Sequence, residues 1–238
     1  MRIIRNERHI RVSSFVGRYA TLTGLLALLA GLIISFVKPG WLTPMLLSVT
    51  LGLILSIVGG FFADRYASPL AHHEALSKAL KGLDDNYVLL QYVLPASHVL
   101  VEPGGCTAFV VKAQGGQATC DKDGRWKHRQ RGKFFRQFAG QEGLGLPHLD
   151  AAYQVRKLER WLERHLPDVE VPMRAAIVFV NPDVTLDADN SPVPAFYGKK
   201  VKAWLRGPGK LKPLPDAMYR QLEEAIGASS ALPEEEPE

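Results

Sequence analysis

The stretch YATLTGLLALLAGLIISFV, residues 19–37, and the stretch PGWLTPMLLSVTLGLILSIVGGFFA, residues 39–63, decide how this chain is read. Neither holds a charged residue, and Lys38 alone stands between them. At about 1.5 Å per residue, some twenty helical residues cross a hydrocarbon layer of roughly 30 Å. In lipid every backbone amide must be bonded within its own segment, so such runs have to be helices. Lys38-Pro39-Gly40-Trp41 and Pro44 break the pair, with Trp41 where an interfacial aromatic sits. Residues 19–63 therefore read as a transmembrane helical hairpin. A cleaved signal peptide is the rival reading. It fails because nothing like A-x-A follows Val37 and a second apolar run comes immediately after.

Charge then sets the expected orientation. Arg2, Arg5, Arg8, Arg11 and Arg18 precede the first run against Glu7 alone. Such arginines hold the N-terminus on the cytoplasmic side, and two spans bring the chain back to it. The expectation is a cell-membrane protein with two spans and both ends cytoplasmic. Residues 1–18 form a short basic lead-in lying at the lipid headgroups. From Asp64 onward basic and acidic residues balance at 23 each, so the pI of about 9.2 is a topology signal. It is no evidence for a nucleic-acid partner.

Within the spans, small residues recur every four positions. Ser48, Gly52, Ser56 and Gly60 do so in the second, and Ala27, Gly31 and Ser35 in the first. Small residues at this spacing let helix backbones approach, either within the hairpin or between two copies in a homodimer.

About 170 residues follow the hairpin, enough for one compact domain over 64–227. His72 to Leu83 is an amphipathic helix, with Leu76, Leu80 and Leu83 on one face. Tyr87 to Leu94, Val99 to Glu102 and Thr107 to Lys112 are strands, the last two joined by Pro103-Gly104-Gly105. Ala118 to Cys120 is a further short strand. Cys106 and Cys120 have no metal-ligand neighbours and read as small core residues in a reducing compartment. Asp150 to Leu166 is a strong amphipathic helix, and Val171 to Val180 a buried strand. Val184 to Leu186 and Val193 to Phe196 are short strands, and Lys199 to Arg206 and Asp216 to Ile226 close the domain as helices. Residues 228–238 are an acidic, Pro-containing disordered tail. The order implies an α/β sandwich with a mixed central sheet.

Between Lys122 and Phe138, basic residues alternate with aromatics. Lys127, Arg129, Arg131 and Lys133 are the candidate contacts to nucleic acid or anionic lipid. A solvated edge hairpin accounts for the same pattern, and no recognised nucleic-acid signature accompanies it.

Leu94-Pro95-Ala96-Ser97-His98-Val99-Leu100-Val101, Pro103-Gly104-Gly105 and Phe109-Val110-Val111-Lys112 together resemble the core of the nuclease-related domain (NERD) family. The likeness extends to Glu74 in the first helix of the domain, to Gly145-Leu146-Pro147 and to Ala176-Ile177-Val178-Phe179, covering roughly residues 70–227. Bacterial members with membrane spans ahead of this domain look like the whole chain. The resemblance implies a restriction-endonuclease-like fold. It also implies a site in which two carboxylates at the ends of adjacent strands hold Mg²⁺ beside a lysine. Here the implied aspartate is Ser97, the implied glutamate is Val110, and Lys112 is retained. Leu146 replaces an asparagine before Pro147. A hydroxyl and an isopropyl group cannot replace two anions around a divalent cation. Glu102, Asp121 and Asp123 are the nearest acids in sequence, and Glu102 reads as solvated.

The resemblance thus implies a catalytically inactive, membrane-tethered pseudonuclease domain without a cofactor. It would act as a binding module for nucleic acid or for a cytoplasmic protein. Two alternatives stand beside it: a Mg²⁺-dependent nuclease with displaced carboxylates, and a structural protein contacting the anionic lipid bilayer.

Overall fold

A computed structural model describes residues 1–132 and 140–231. It resolves into two compact units. One comprises residues 7–74 with 129–144, the other residues 1–6, 75–128 and 145 onward.

The first unit is built on two helices, α1 (Glu7–Val37) and α2 (Leu42–Phe62). Pro44 lies in the first turn of α2, where no intrahelical bond needs its missing N–H. Both helices are long and apolar enough to cross a membrane, and only 11% of each apolar window is buried. Leu22, Leu25, Leu29, Leu32, Ile54 and Phe36 are all exposed. Beyond Ile10 and Ser13 near the start of α1, what the two helices bury is glycine: Gly17, Gly24 and Gly31 on α1, Gly52 and Gly59 on α2. A Cβ added to Gly24 would lie 2.7 Å from the Ser56 nitrogen, and one on Gly59 would lie 2.3 Å from the Thr21 nitrogen. Backbone therefore meets backbone, and Ser48 Oγ donates to the Ala27 carbonyl at 2.7 Å.

The seam differs from the four-residue ridge expected from sequence. Four residues advance a helix by about 40° beyond a full turn, whereas seven fall only about 20° short of two turns. A row at i, i+4, i+8, i+12 winds off the seam, and a row at i, i+7, i+14 stays on it. Gly60, the last of the expected row, faces Gly140 instead. Ser48, Gly52 and Ser56 of the expected row nonetheless face α1.

After α2 come a π-helical turn, Ala63–Ala67, and then α3 (His72–Leu80). The second unit is built around a six-stranded mixed sheet. Its strands are β1 (Arg2–Arg5), β2 (Val88–Gln91), β3 (His98–Glu102), β4 (Gly105–Lys112), β7 (Met173–Phe179) and β9 (Ala195–Tyr197), in spatial order β1-β2-β3-β4-β7-β9. β2, β3 and β4 form an antiparallel meander. β1 joins β2 in parallel, β7 joins β4 in parallel, and β9 extends β7 in parallel. A smaller sheet has the order β6-β5-β8, from β5 (Gly116–Cys120), β6 (Trp126–Arg129) and β8 (Val184–Asp187).

Strand alternation sorts the core into two layers. Leu89, Leu100, Phe109 and Val111 pack with Leu76 and Leu80 of α3 and with α5 (Val201–Arg206). Val88, Leu90, Val99 and Val101 pack on the other face, with α4 (Pro147–His165) and α6 (Asp216–Ala231). The mixed α/β architecture with helices on both faces is as the sequence implies, and the strands fall within a few residues of expectation.

Two expectations change. Residues 1–18 are no single lead-in at the headgroups: Arg2–Arg5 is an edge strand, followed by α1 from Glu7. Arg5 donates from Nε to Gln91 Oε1 at 2.7 Å and from a terminal nitrogen to Ser77 Oγ at 3.0 Å, while Arg2 pairs with Glu223. These partners lie 72 to 221 residues away, out of reach of any local pattern. The expected tail from residue 228 also starts too early, since α6 continues to Ala231, and 232–238 lie outside the described residues.

Candidate functional site

Lys112 ends β4 on the face that bears Val110 and Ala108, because side chains two apart in a strand point the same way. That face meets α4. The Lys112 side chain is 3% exposed, and its Nζ donates to Asp150 Oδ2 at 2.8 Å. Asp150 stands in the first turn of α4, which opens with Pro147. A carboxylate there is favoured by the helix dipole. Asp150 is 47% exposed, so the pair has one end in the core and the other in water. A buried ammonium without such a partner carries a large desolvation penalty.

One turn further along α4, Gln154 Oε1 accepts the Ser97 backbone N–H at 2.9 Å. The loop before β3 is closed by Tyr92 N–H donating to the Ser97 carbonyl at 2.8 Å, with Tyr92 in the left-handed region at φ 58°. The Tyr92 ring meets His98 edge-on at 4.8 Å. In the β3–β4 ladder Val99 pairs Ala108 and Leu100 pairs Thr107.

Of the two positions at which the resemblance implies carboxylates, Val110 lies in β4 two residues before Lys112, and Ser97 immediately precedes β3. What they carry is a hydroxyl and a buried isopropyl group. Among the described residues no group of three or more His, Cys, Asp or Glu could hold a metal ion. The donor set does not suit Mg²⁺, which takes oxygen ligands in near-octahedral array. Asp150 is the carboxylate that sequence reasoning missed, having been noted only as a helix start. It lies 38 residues from Lys112, and the sole local hint is an acid just inside a Pro-initiated helix.

The other sequence candidates are placed elsewhere. Glu74 lies in the first unit, with His73 Nε2 3.9 Å from its carboxylate. Lys127 is exposed and pairs with Asp121 at 3.1 Å. Backbone donation from Arg125 and then the Lys127 ammonium hold the Asp121 carboxyl below its usual value. Arg129 and Arg131 are exposed, and Lys133 lies outside the described residues.

Glu102 is not solvated, contrary to its reading in the sequence. It is buried at the far end of β3 from Ser97 and accepts from Arg174 at 2.9 and 3.1 Å and from Thr107. Arg174 also donates to Thr107 Oγ1 at 2.8 Å and to the Gly209 carbonyl, and it stacks over Trp204 at 4.2 Å. Burial pushes the Glu102 carboxyl above its ordinary value, partly offset by Thr107 and Arg174. Cys106 and Cys120 are free and buried, and burial pushes the Cys106 thiol up to about 12.

Comparison of the chain with protein-family models, with curated proteins and with solved structures gives no match.

Proposed function

We propose that the chain is a membrane-anchored cytoplasmic domain of the nuclease-related, restriction-endonuclease-like type that binds its partner without cleaving it. The observation that carries this reading is the Lys112–Asp150 ion pair, set beside Ser97 and Val110. Where a metal nuclease needs two carboxylates free to face a cation, the described residues bring one, Asp150, to Lys112, and the buried lysine already neutralises it. The succession of α3, the β2-β3-β4 meander, α4 and the parallel strand β7 supports the reading, with Val110 and Lys112 on β4 and Ser97 just ahead of β3. Two mostly exposed apolar helices support the anchor, and the arginines at 8, 11 and 18 support cytoplasmic ends.

The partner follows from the remaining chemistry. The exposed cations Lys127, Arg129 and Arg131 suit an anionic ligand, of which nucleic acid is the one to test first. The competing nuclease reading draws on Asp150 as a displaced carboxylate beside the lysine. The full chain in detergent, incubated with Mg²⁺ or Mn²⁺ on plasmid and single-stranded DNA, separates the two. The expected result is no cleavage, with binding that weakens as salt rises and when Lys127, Arg129 and Arg131 are neutralised. Cleavage that is lost in Lys112→Ala would refute the proposal.

A further inference from the structure

The helix α1 is longer than a hydrocarbon layer requires. Its 31 residues rise about 46 Å, against a core of roughly 30 Å. With Val37 at the far boundary, about eleven residues at the other end stand clear of the hydrocarbon. Arg18 then lies at the boundary itself, with Arg11 about 10 Å and Arg8 about 15 Å farther out. Arg2 and Arg5, the other arginines ahead of the span, are engaged by Glu223, Gln91 and Ser77. Arg8, Arg11 and Arg18 remain exposed.

These three share one face of the helix. At about 100° per residue, Arg8, Arg11, Phe15, Arg18 and Tyr19 fall within about 100° of its circumference. Leu22, Leu26, Leu29 and Ile33 carry the same face through the span, and all of these side chains are exposed. The buried Gly17, Gly24 and Gly31 occupy the opposite side, against α2. The side of α1 that meets acyl chains along the span therefore meets headgroups where it leaves them.

The chemistry of the face suits that level. Tyr19 is an aromatic of the kind that settles among headgroups, and Phe15 packs on it with ring centres 4.0 Å apart. A guanidinium presents paired N–H donors to phosphate oxygens, and its stem can lie along apolar surface while the charge stays in the polar layer. Side chains on a helix lean toward its N-terminus, so Arg18 reaches outward from the hydrocarbon edge. Glu7 is the only acid between residues 7 and 63, which leaves the face positive.

We infer that Arg8, Arg11 and Arg18, flanking Phe15 and Tyr19, form a strip that binds the phosphates of anionic phospholipids in the leaflet where α1 enters. The inference rests on the membrane-anchor reading above. Three guanidiniums at staggered heights gather several headgroups, so the hairpin carries a shell of anionic lipid with it. The arginines thus have a ligand of their own, besides fixing the orientation of the first span.

Electron spin resonance of chain-labelled phosphatidylglycerol and phosphatidylcholine tests this, each label at trace level in phosphatidylcholine vesicles that hold the full chain. Labelled lipid occupies both leaflets, so the direction of insertion does not affect the readout. Phosphatidylglycerol should associate about five-fold more strongly than phosphatidylcholine, the worth of one arginine near an anionic lipid. The preference should shrink as salt rises. It should vanish when Arg8→Gln, Arg11→Gln and Arg18→Gln are combined, and persist when the same three are changed to Lys. Equal association of the two lipids with the parent chain would overturn the inference. So would a preference that the Gln variant retains; its loss on neutralising Lys127, Arg129 and Arg131 would assign the lipid to those cations instead. Flotation with pure phosphatidylcholine vesicles after an alkaline wash checks the anchor separately. A chain that does not float refutes the anchor, whereas one that floats without preferring phosphatidylglycerol refutes the strip alone.

Discussion

Removing either half of the Lys112–Asp150 pair should have unequal consequences. Asp150→Ala leaves a nearly buried ammonium without its carboxylate. Breaking a fully buried pair from one side costs about 3–5 kcal/mol, and a fully exposed pair is worth about 0–1 kcal/mol. With Lys112 in the core and Asp150 half in water, the expected loss lies between these, at about 1–3 kcal/mol. Lys112→Met removes the charge that needs a partner, keeps an unbranched side chain of similar length, and leaves Asp150 to water. It should stay within about 1 kcal/mol of the parent. The double variant should fall below Lys112→Met by no more than about 0.3–1 kcal/mol, the helix-dipole contribution that Asp150 keeps once the ammonium is gone. Thermal unfolding of the full chain in detergent reads all three, a 2 kcal/mol loss being worth about 4–8 °C for a chain of this size. If Lys112→Met proves more damaging than Asp150→Ala, or Asp150→Ala leaves the midpoint unmoved, the pair is not what holds the lysine in the core.

Arg174→Met should cost about 3 kcal/mol near pH 7, because the Glu102 carboxylate stays buried without its guanidinium. Glu102 already has a raised carboxyl, and losing Arg174 raises it further. The folded variant therefore takes up a proton that the unfolded chain binds only at lower pH. Its deficit against the parent shrinks as pH falls through the folded carboxyl's range and widens as pH rises, which denaturation at pH 5 and pH 7.5 compares. A deficit that is flat with pH would contradict the assignment. In the hairpin, Gly59→Ile drives a side chain into the Thr21 backbone and should cost about 1–3 kcal/mol or prevent assembly. Gly40→Ala, with open space around it, should be silent by yield and monodispersity in detergent. Deleting residues 1–6 uncovers the edge of β2 and removes the Arg5 bonds to Gln91 and Ser77. Faster hydrogen exchange in Val88–Gln91 is the expected readout, and unchanged exchange there would deny β1 its place in the sheet.

Which side chains face one another across the hairpin was only half legible. The small residues were visible, but the four-residue spacing pointed to Gly60 and Ser35, whereas close packing over many turns selects the seven-residue rows at Gly17, Gly24 and Gly31. At the domain's polar sites, the identities of Ser97, Val110 and Lys112 could be read along the chain. The partner of Lys112 could not.

Local order was written in the chain itself: two uncharged stretches long enough to be membrane-crossing helices, β-branched runs cut by Gly and Pro, and an amphipathic helix from Asp150 onward. Each depends on neighbours within a turn or a strand, so composition and period suffice to reveal it. Only the tertiary fold decided that Asp150 meets Lys112 across 38 residues, that Arg174 meets Glu102 across 72, and that Arg2–Arg5 completes the sheet beside β2. Those outcomes follow from burial. A charge carried into the core must find its opposite or a hydrogen-bonding partner wherever the packed elements bring one, and chain distance places no limit on where that is.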